Sequence, residues 1–450
     1  VAVASPLLTD LYGLNMAASY LGRGMDRDAT FSLFVRQLPS SRGFLVAAGL
    51  DDCLDHLEQF CFAADDLDYL ATIGFDAAAL DALVRVRFTG EVRAVPEGRI
   101  VFANEPLLEV TAPIAEAQLV ESFLLNQVTM QTTLATKAAR CVMAAGTIDL
   151  VEFGFRRAQG IDAGLAAARL AVMVGFSGTS NVEAARRFGL RPVGTMAHSY
   201  VEAFPSELDA FRSFAQDRTG QSTFLVDTYD TLEGVRHAIE AIRSLGLEQE
   251  AAIRIDSGDL AAMSRRARSI LDDAGLPEVR IFVSGGLDEF ALQDLVASRA
   301  PIDAAGVGTR MATAADAPYL DSAYKLVTYD GRAVVKLSQD KETLPSAKQV
   351  YRRPGLNDTV CLRGEPPPTA DSEALLAVVM EGGQRVGPRD PLAAARARFQ
   401  RDRDALAPGL RDLAQPIGPE PVLSASLQAL EHEARRQARA RGRGGVGTGG

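Results

Sequence analysis

Long apolar runs are missing from this chain of 450 residues. No stretch reaches the length needed to cross a bilayer, and no charged-then-apolar leader opens the sequence. The expectation is a soluble, cytoplasmic protein with no membrane partner. Cysteine is also scarce. Cys53, Cys61, Cys141 and Cys361 are scattered, with no CxxC pair, which excludes a clustered zinc site and fits buried free thiols in a reducing compartment. Positive charge is in deficit: 47 Lys and Arg against 58 Asp and Glu give a net charge of −11. That balance argues against a nucleic-acid partner. Any anion site must then be made locally, by a few cations and by backbone N–H groups.

Apolar bulk is plentiful. Hydrophobic residues make up 47% of the chain, enough for a substantial core, and the length suits two domains, one of barrel size. Residues 45–60 and 63–70 read as amphipathic helices. Residues 84–110 alternate in short strands broken at Thr89-Gly90, Pro96-Glu97-Gly98 and Asn104-Glu105-Pro106, the pattern of a small antiparallel sheet. Residues 115–144 are helical in pattern.

From Thr147 the rhythm changes. The apolar runs DLVEF, AVMVGF, RPVGTM, TFLVD, AAIRID, VRIFVS, DAAGVG and YKLVTY alternate with Ala-, Arg- and Glu-rich helical stretches. Such alternation means parallel βα units. It predicts an α/β fold with an irregular (β/α) barrel; an open doubly wound sheet has the same spacing and stays open as the alternative. Asp330-Gly331 reads as a hairpin turn, after which the chain returns to the N-terminal segment. The expected division is an outer α+β domain from residues 1–114 and 329–430, a barrel over 115–328, and a disordered Arg- and Gly-rich tail over 431–450.

In a barrel, chemistry collects where strands end. The residues after the runs are small, polar or charged: GFRRAQG, SGTSN, AHSY, TYDT, SGDL, GGLDE and TRM. Ser284-Gly285-Gly286 and Gly306-Val307-Gly308-Thr309 place small residues between a strand and a helix, as phosphate loops do. Asp256-Ser257-Gly258-Asp259 suits ribose hydroxyls and equally suits a helix N-cap. Of the four histidines, His56, His198, His237 and His432, only His198 directly follows a strand run. Asp227 ends the next run and would fix the His198 tautomer, leaving the other ring nitrogen as nucleophile or base. Arg156, Arg157 and Arg254 at strand ends suit a carboxylate or phosphate, and Phe153 and Phe155 suit a planar substrate. These residues reach a barrel enzyme for a phosphorylated, hydroxyl-bearing anion beside a ring; they do not reach the reaction.

Read in order, LLTDLY, FVRQLPSSRGFLVAAGL, RFTGEVRAVPEGRIVFANEPLLEV, ATKAAR, EFGFRRAQG, GFSGTSN, GTMAHSYVEAFP, LVDTYDT, RIDSGDL, VSGGLDE, GVGTRM and PSAKQVYRR resemble the nicotinate phosphoribosyltransferase family, over residues 7–353. The resemblance implies an irregular α/β barrel with an outer domain from both chain ends. It implies homodimers with shared active sites, and the reaction of nicotinate with phosphoribosyl pyrophosphate to give nicotinate mononucleotide and pyrophosphate, coupled to ATP hydrolysis. Mg²⁺ would travel with pyrophosphate and ATP, with no protein metal ligands. Carried onto this chain, His198 matches the histidine phosphorylated by ATP and Asp227 its carboxylate partner. Tyr12, from the neighbouring subunit, and Phe153 match the aromatics that sandwich the pyridine ring, with Thr195 and Arg254 as nicotinate contacts. Arg156 lies at the phosphate end of the base. Asp256, with Ser257 and Gly258, matches the ribose site, and Gly285, Gly286, Gly308 and Thr309 match the 5-phosphate cradle. Lys137 and Arg140 are further candidates for the diphosphate, with a helix-surface role as the alternative. Ser180 stands where the related nicotinamide enzymes carry Asp. A carboxylate there would accept from an amide and repel nicotinate, so Ser180 favours the acid. The competing readings are a nicotinamide phosphoribosyltransferase, a quinolinate phosphoribosyltransferase, and a catalytically silent nucleotide-binding barrel.

Overall fold

The structure is a computed structural model that describes residues 5–217, 222–338 and 343–443. It forms two compact units: Val1–Thr133 together with Tyr319–Gly450, and Leu134–Pro318. The division falls later at the first boundary, and earlier at the second, than the sequence pattern suggests.

The outer unit is built, among the described residues, on a seven-stranded antiparallel sheet. At its centre Asp28–Val35 pairs with Pro106–Pro113 on one side and Ser322–Tyr329 on the other, so both chain ends share one sheet. The run YKLVTY is therefore an outer-sheet strand and not a barrel strand. Its burial explains why: it is covered in part only, whereas Ala304–Val307 is buried throughout, as a parallel strand covered on both faces must be. Phe31 stacks on Tyr324 with ring centroids 4.8 Å apart, and the Tyr324 hydroxyl donates to Ala117 O at 2.8 Å. Asp330 and Gly331, at φ +49° and +70°, turn the chain into Arg332–Ala333 as the hairpin signal predicts. The 45–60 segment is not one helix. Leu45–Val46 pairs with Ile100–Val101, Gly49 turns at φ +94°, and the helix is Leu50–Glu58.

The stretch from residue 431 read as a disordered tail is helical as far as Arg443, within Ala425–Arg443. Burial of Leu427 and Ala434 anchors it, and Glu431–Arg435 and Glu433–Arg436 pairs run along its face. Residues 444–450 of that expectation lie outside the described residues. All four cysteines are free, with Cys61 only half-buried. No helix among the described residues is long and apolar enough to cross a membrane.

Among the described residues the second unit carries six parallel strands: Asp149–Glu152, Gly178–Thr179, Ser222–Leu225, Ala251–Ile255, Arg280–Val283 and Ala304–Val307. The last pairs with the first, so the strands follow chain order around a curled half-barrel that is open between the second and third. Two of the expected strands are absent. AVMVGF finishes helix Ile161–Val174, because the Ala-rich run before it has high helix propensity and continues unbroken to Gly175 at φ +132°. RPVGTM contributes a single bridge, Thr179 to Pro192, at the open edge; proline has no N–H with which to extend a ladder.

Candidate functional site

The strand ends of the second unit meet around Arg254. Each of its three nitrogens is engaged: Nε donates to Ser284 Oγ at 2.7 Å, Nη1 to Thr195 Oγ1 at 2.8 Å and Nη2 to Asp256 Oδ1 at 2.7 Å. Its Cζ lies 5.5 Å from the centroid of the Phe153 ring. Phe153 packs on Phe282, at 5.6 Å between centroids with the rings tilted by 31°. It also lies over Gly306, where a Cβ would stand 2.6 Å from the ring, so glycine is required there for space alone. Burial alone would raise the Asp256 carboxyl, but the Ser284 hydroxyl and the Arg254 charge outweigh it and hold the group below the usual carboxylate range.

A cavity of about 370 Å³ opens here. Its lining brings together Phe153, Arg156, Ser180, Thr195, His198, Arg254 and Asp256, all expected from the sequence. Arg156 and Ser180 are exposed in it.

His198 begins the short helix His198–Glu202. Its Nδ1 is 3.2 Å from Thr228 Oγ1 and its Nε2 4.0 Å from Asp256 Oδ2. Asp227 is not the residue that holds the ring. Its Oδ2 accepts from Asp256 N at 2.9 Å and Ser257 Oγ at 2.6 Å, and Oδ1 is buried with no partner among the described residues. The cause is the strand neighbourhood: Ser222–Leu225 lies beside Ala251–Ile255, so Asp227 meets the turn that follows its sheet partner.

The glycine loops end the adjacent strands Arg280–Val283 and Ala304–Val307. Gly285 has φ +98°, and a Cβ on it would fall 2.0 Å from Asp256 O; Gly286 follows at φ +66°. Gly258 is also left-handed, at φ +77°. Gly308 packs on Phe153 O, and Thr309 starts a helix of four residues, Thr309–Ala312. Asp288 caps Glu289–Ala297 through Phe290 N and Ala291 N and also takes Arg310 at 2.7 Å. The open N–H groups of this corner are thus those of the exposed glycines more than those of the longer helix.

Lys137 and Arg140 occupy neither a helix surface nor the cavity. Both are buried against Glu289, with Lys137 Nζ 2.5 Å from Glu289 Oε2 and 3.0 Å from Asp316, and Arg140 Nε 3.0 Å from Glu289 Oε1. Tyr12 belongs to the outer unit, on Leu11–Gly22, half-exposed. Its hydroxyl is pushed up to about 12, first by burial and then by Glu121. Among the described residues no group of three or more His, Cys, Asp or Glu is arranged to hold a metal. Sequence reasoning missed Glu152, fully buried at the end of the first strand; an acid inside a buried parallel strand was the available signal.

The model of the nicotinate phosphoribosyltransferase N-terminal domain matches residues 7–129, and that of the nicotinate phosphoribosyltransferase family matches residues 148–342. Nicotinate phosphoribosyltransferase pncB2 of Mycobacterium tuberculosis is 46% identical over 438 residues, covering 95% of this chain and 94% of its own. The nicotinate phosphoribosyltransferase of Bacillus subtilis is 44% identical over 356 residues, 77% of this chain and 72% of its own. The crystal structure of human nicotinic acid phosphoribosyltransferase aligns with a TM-score of 0.84 at 30% identity, over 94% of this chain and 99% of that one. Fold, strand-end residues and these relatives converge: the chain belongs to the nicotinate phosphoribosyltransferase family.

Proposed function

We propose that this chain, a phosphoribosyltransferase of NAD biosynthesis, takes nicotinate into the 370 Å³ cavity with its ring on Phe153 and its carboxylate toward Arg254, Thr195 and Ser180. The observation that carries this is the pinned guanidinium beside the Phe153 face, a cation already oriented before any substrate arrives. Arg156, exposed in the lining, faces the phosphoribosyl end. Asp256, with Ser257 and Gly258, takes the ribose hydroxyls, and Gly285, Gly286, Gly308 and Thr309 take the 5-phosphate. Pyrophosphate leaves C1, an oxocarbenium-like centre develops, and the pyridine nitrogen attacks from the opposite face. The protein's contribution is position and charge compensation.

ATP enters through His198. With Nδ1–H donating to Thr228, Nε2 carries the lone pair that attacks the γ-phosphorus, and ADP departs. The phosphoryl group adds about −1.5 to −2 charges beside the substrates and shifts the site between binding states. Asp227 orders the turn that presents Asp256 and Ser257. Mg²⁺ arrives on the diphosphate and on ATP. A homodimer would bring Tyr12 of one copy to the ring site of the other.

The test is product formation from labelled nicotinate and phosphoribosyl pyrophosphate with Mg²⁺, with and without ATP, with nicotinamide in parallel. Nicotinate mononucleotide formed faster with ATP, little product from nicotinamide, and label from γ-labelled ATP on wild type but not on His198→Asn support the reading. Equal use of both bases would refute the acid preference, and label retained in His198→Asn would refute the phosphohistidine.

A further inference from the structure

Next in the chain to Phe153, and outside the cavity lining, lies a carboxylate that the reaction itself does not touch. Glu152 is the last residue of Asp149–Glu152 and is fully buried. Its Oε1 accepts from Gly154 N, and its Oε2 accepts from Thr179 Oγ1 at 2.5 Å on the neighbouring strand. Thr179 Oγ1 accepts in turn from Asn181 N at 2.9 Å, and Ser180 N donates to Glu152 O at 2.8 Å. One side chain therefore ties the turn bearing Phe153 and Arg156 to the turn bearing Ser180. The first turn has no slack: a Cβ on Gly154 would stand 2.4 Å from Ala312 Cβ and 2.9 Å from Glu152 Oε1.

We infer that Glu152 is a positioning residue for the base, a clasp that sets the width of the slot between Phe153 and Ser180. The inference rests on the reading that the nicotinate ring lies on Phe153 with its carboxylate toward Ser180.

The chemistry of the clasp favours a role beyond stability. No ion pair of Glu152 is found among the described residues; its partners are a hydroxyl and an amide N–H. Burial pushes its carboxyl above the usual range, and Thr179 and Gly154 only partly offset this. Ionising a group whose folded value is raised costs stability, fully so once the pH has risen through that value. A neutral side chain would suit the fold better. Glutamine would not make the same clasp: its carbonyl can still accept from Gly154 N, but its amide offers an N–H toward Thr179, whose hydroxyl already accepts from Asn181 N and would lose the acceptor for its own proton.

The experiment compares Glu152→Gln, Thr179→Val and Thr179→Ser with wild type, with Phe153→Ala as the reference for the ring site. Expected are a nicotinate KM about tenfold higher in Glu152→Gln and Thr179→Val, the size of one lost hydrogen bond to a charged group. The KM for phosphoribosyl pyrophosphate and kcat should stay within about threefold of wild type, and Thr179→Ser should restore nicotinate KM. Should Glu152→Gln fail to fold, the Thr179 pair decides. An unchanged nicotinate KM in Thr179→Val, or a parallel rise in both KM values, overturns the clasp. If Phe153→Ala raises nicotinate KM while the clasp variants do not, the clasp alone falls. If Phe153→Ala leaves it unchanged, the ring site falls and the clasp falls with it.

Discussion

Replacing Arg254 by lysine keeps the charge and removes the fork. The guanidinium reaches three acceptors on three residues, Ser284, Thr195 and Asp256, at 2.7 to 2.8 Å, and its side chain is only 11% exposed. An ammonium concentrates its donors on one atom at the end of a flexible stem and cannot span all three. At least one charge-assisted hydrogen bond is lost, worth about 1.5–3 kcal/mol at a site so little screened by water. The ring contact with Phe153 is the lesser effect, because a lysine over the same face recovers part of a cation–π term of about 0.5–2 kcal/mol. If the fork is what orients the nicotinate carboxylate, the loss converts to a rise of roughly 10- to 150-fold in nicotinate KM. Initial rates at saturating phosphoribosyl pyrophosphate, over a nicotinate titration, measure it. A KM within about twofold of wild type would show that charge alone suffices, and the pinned-fork argument would be wrong.

Ser180→Asp places a carboxylate in the cavity lining and should weaken nicotinate far more than nicotinamide; a nicotinate KM that does not move refutes the account of base choice. Gly285→Ala should abolish or strongly weaken use of phosphoribosyl pyrophosphate. The φ of +98° alone costs about 1–2 kcal/mol with a Cβ present, and the new atom would overlap Asp256 O; a wild-type melting temperature and rate would contradict the loop geometry. Asp256 is held below its ordinary value of 3.8, so its ionised pairing stabilises the fold at every pH above 3.8 and is lost as the pH falls through the folded value. The melting-temperature gap between wild type and Asp256→Asn should therefore be constant from pH 5 to 7 and close below about pH 3.8; a gap that closes above pH 5 instead would disprove the pairing.

Part of the candidate site was legible because parallel strands deliver their last and following residues to one rim, so the ends of AAIRID and VRIFVS yield Asp256 and Gly285 without coordinates, whereas Ser180 and His198 follow runs that are not strands and Thr195 came only with the resemblance. Helix against strand was harder: AVMVGF is apolar in either state, and only the Ala-rich turn count before it marks a helix. The surroundings of His198 were not legible at all: its Nδ1 meets Thr228, and the carboxylate 4.0 Å from Nε2 is Asp256 and not Asp227. Asp227 and Asp256 each follow a strand, and which of them meets the ring depends on how neighbouring turns lean across the sheet. Asp227 leans onto the turn of Asp256, and Asp256 onto the histidine. Lys137 and Arg140 look like surface cations on a helix until the fold buries Glu289 between them.

The same contacts explain how a chain of net charge −11 can gather anions. The carboxylates described at this rim are answered locally on at least one oxygen: Asp256 Oδ1 by Arg254 and Ser284, Asp227 Oδ2 by Asp256 N and Ser257, Asp259 by Ala262 N, Asp288 by Arg310 and a helix start, and Glu152 by Thr179 and Gly154. Engaged lone pairs are poor competitors for an incoming cation-bound diphosphate, and their charge is answered locally. What remains toward the cavity and the glycine corner is an exposed Arg156, exposed glycine N–H groups and the positive edge of a clamped guanidinium. Net charge describes encounter at a distance, where the Debye length of about 8 Å already blunts it. Binding is decided inside that length, by which groups still have a proton to offer.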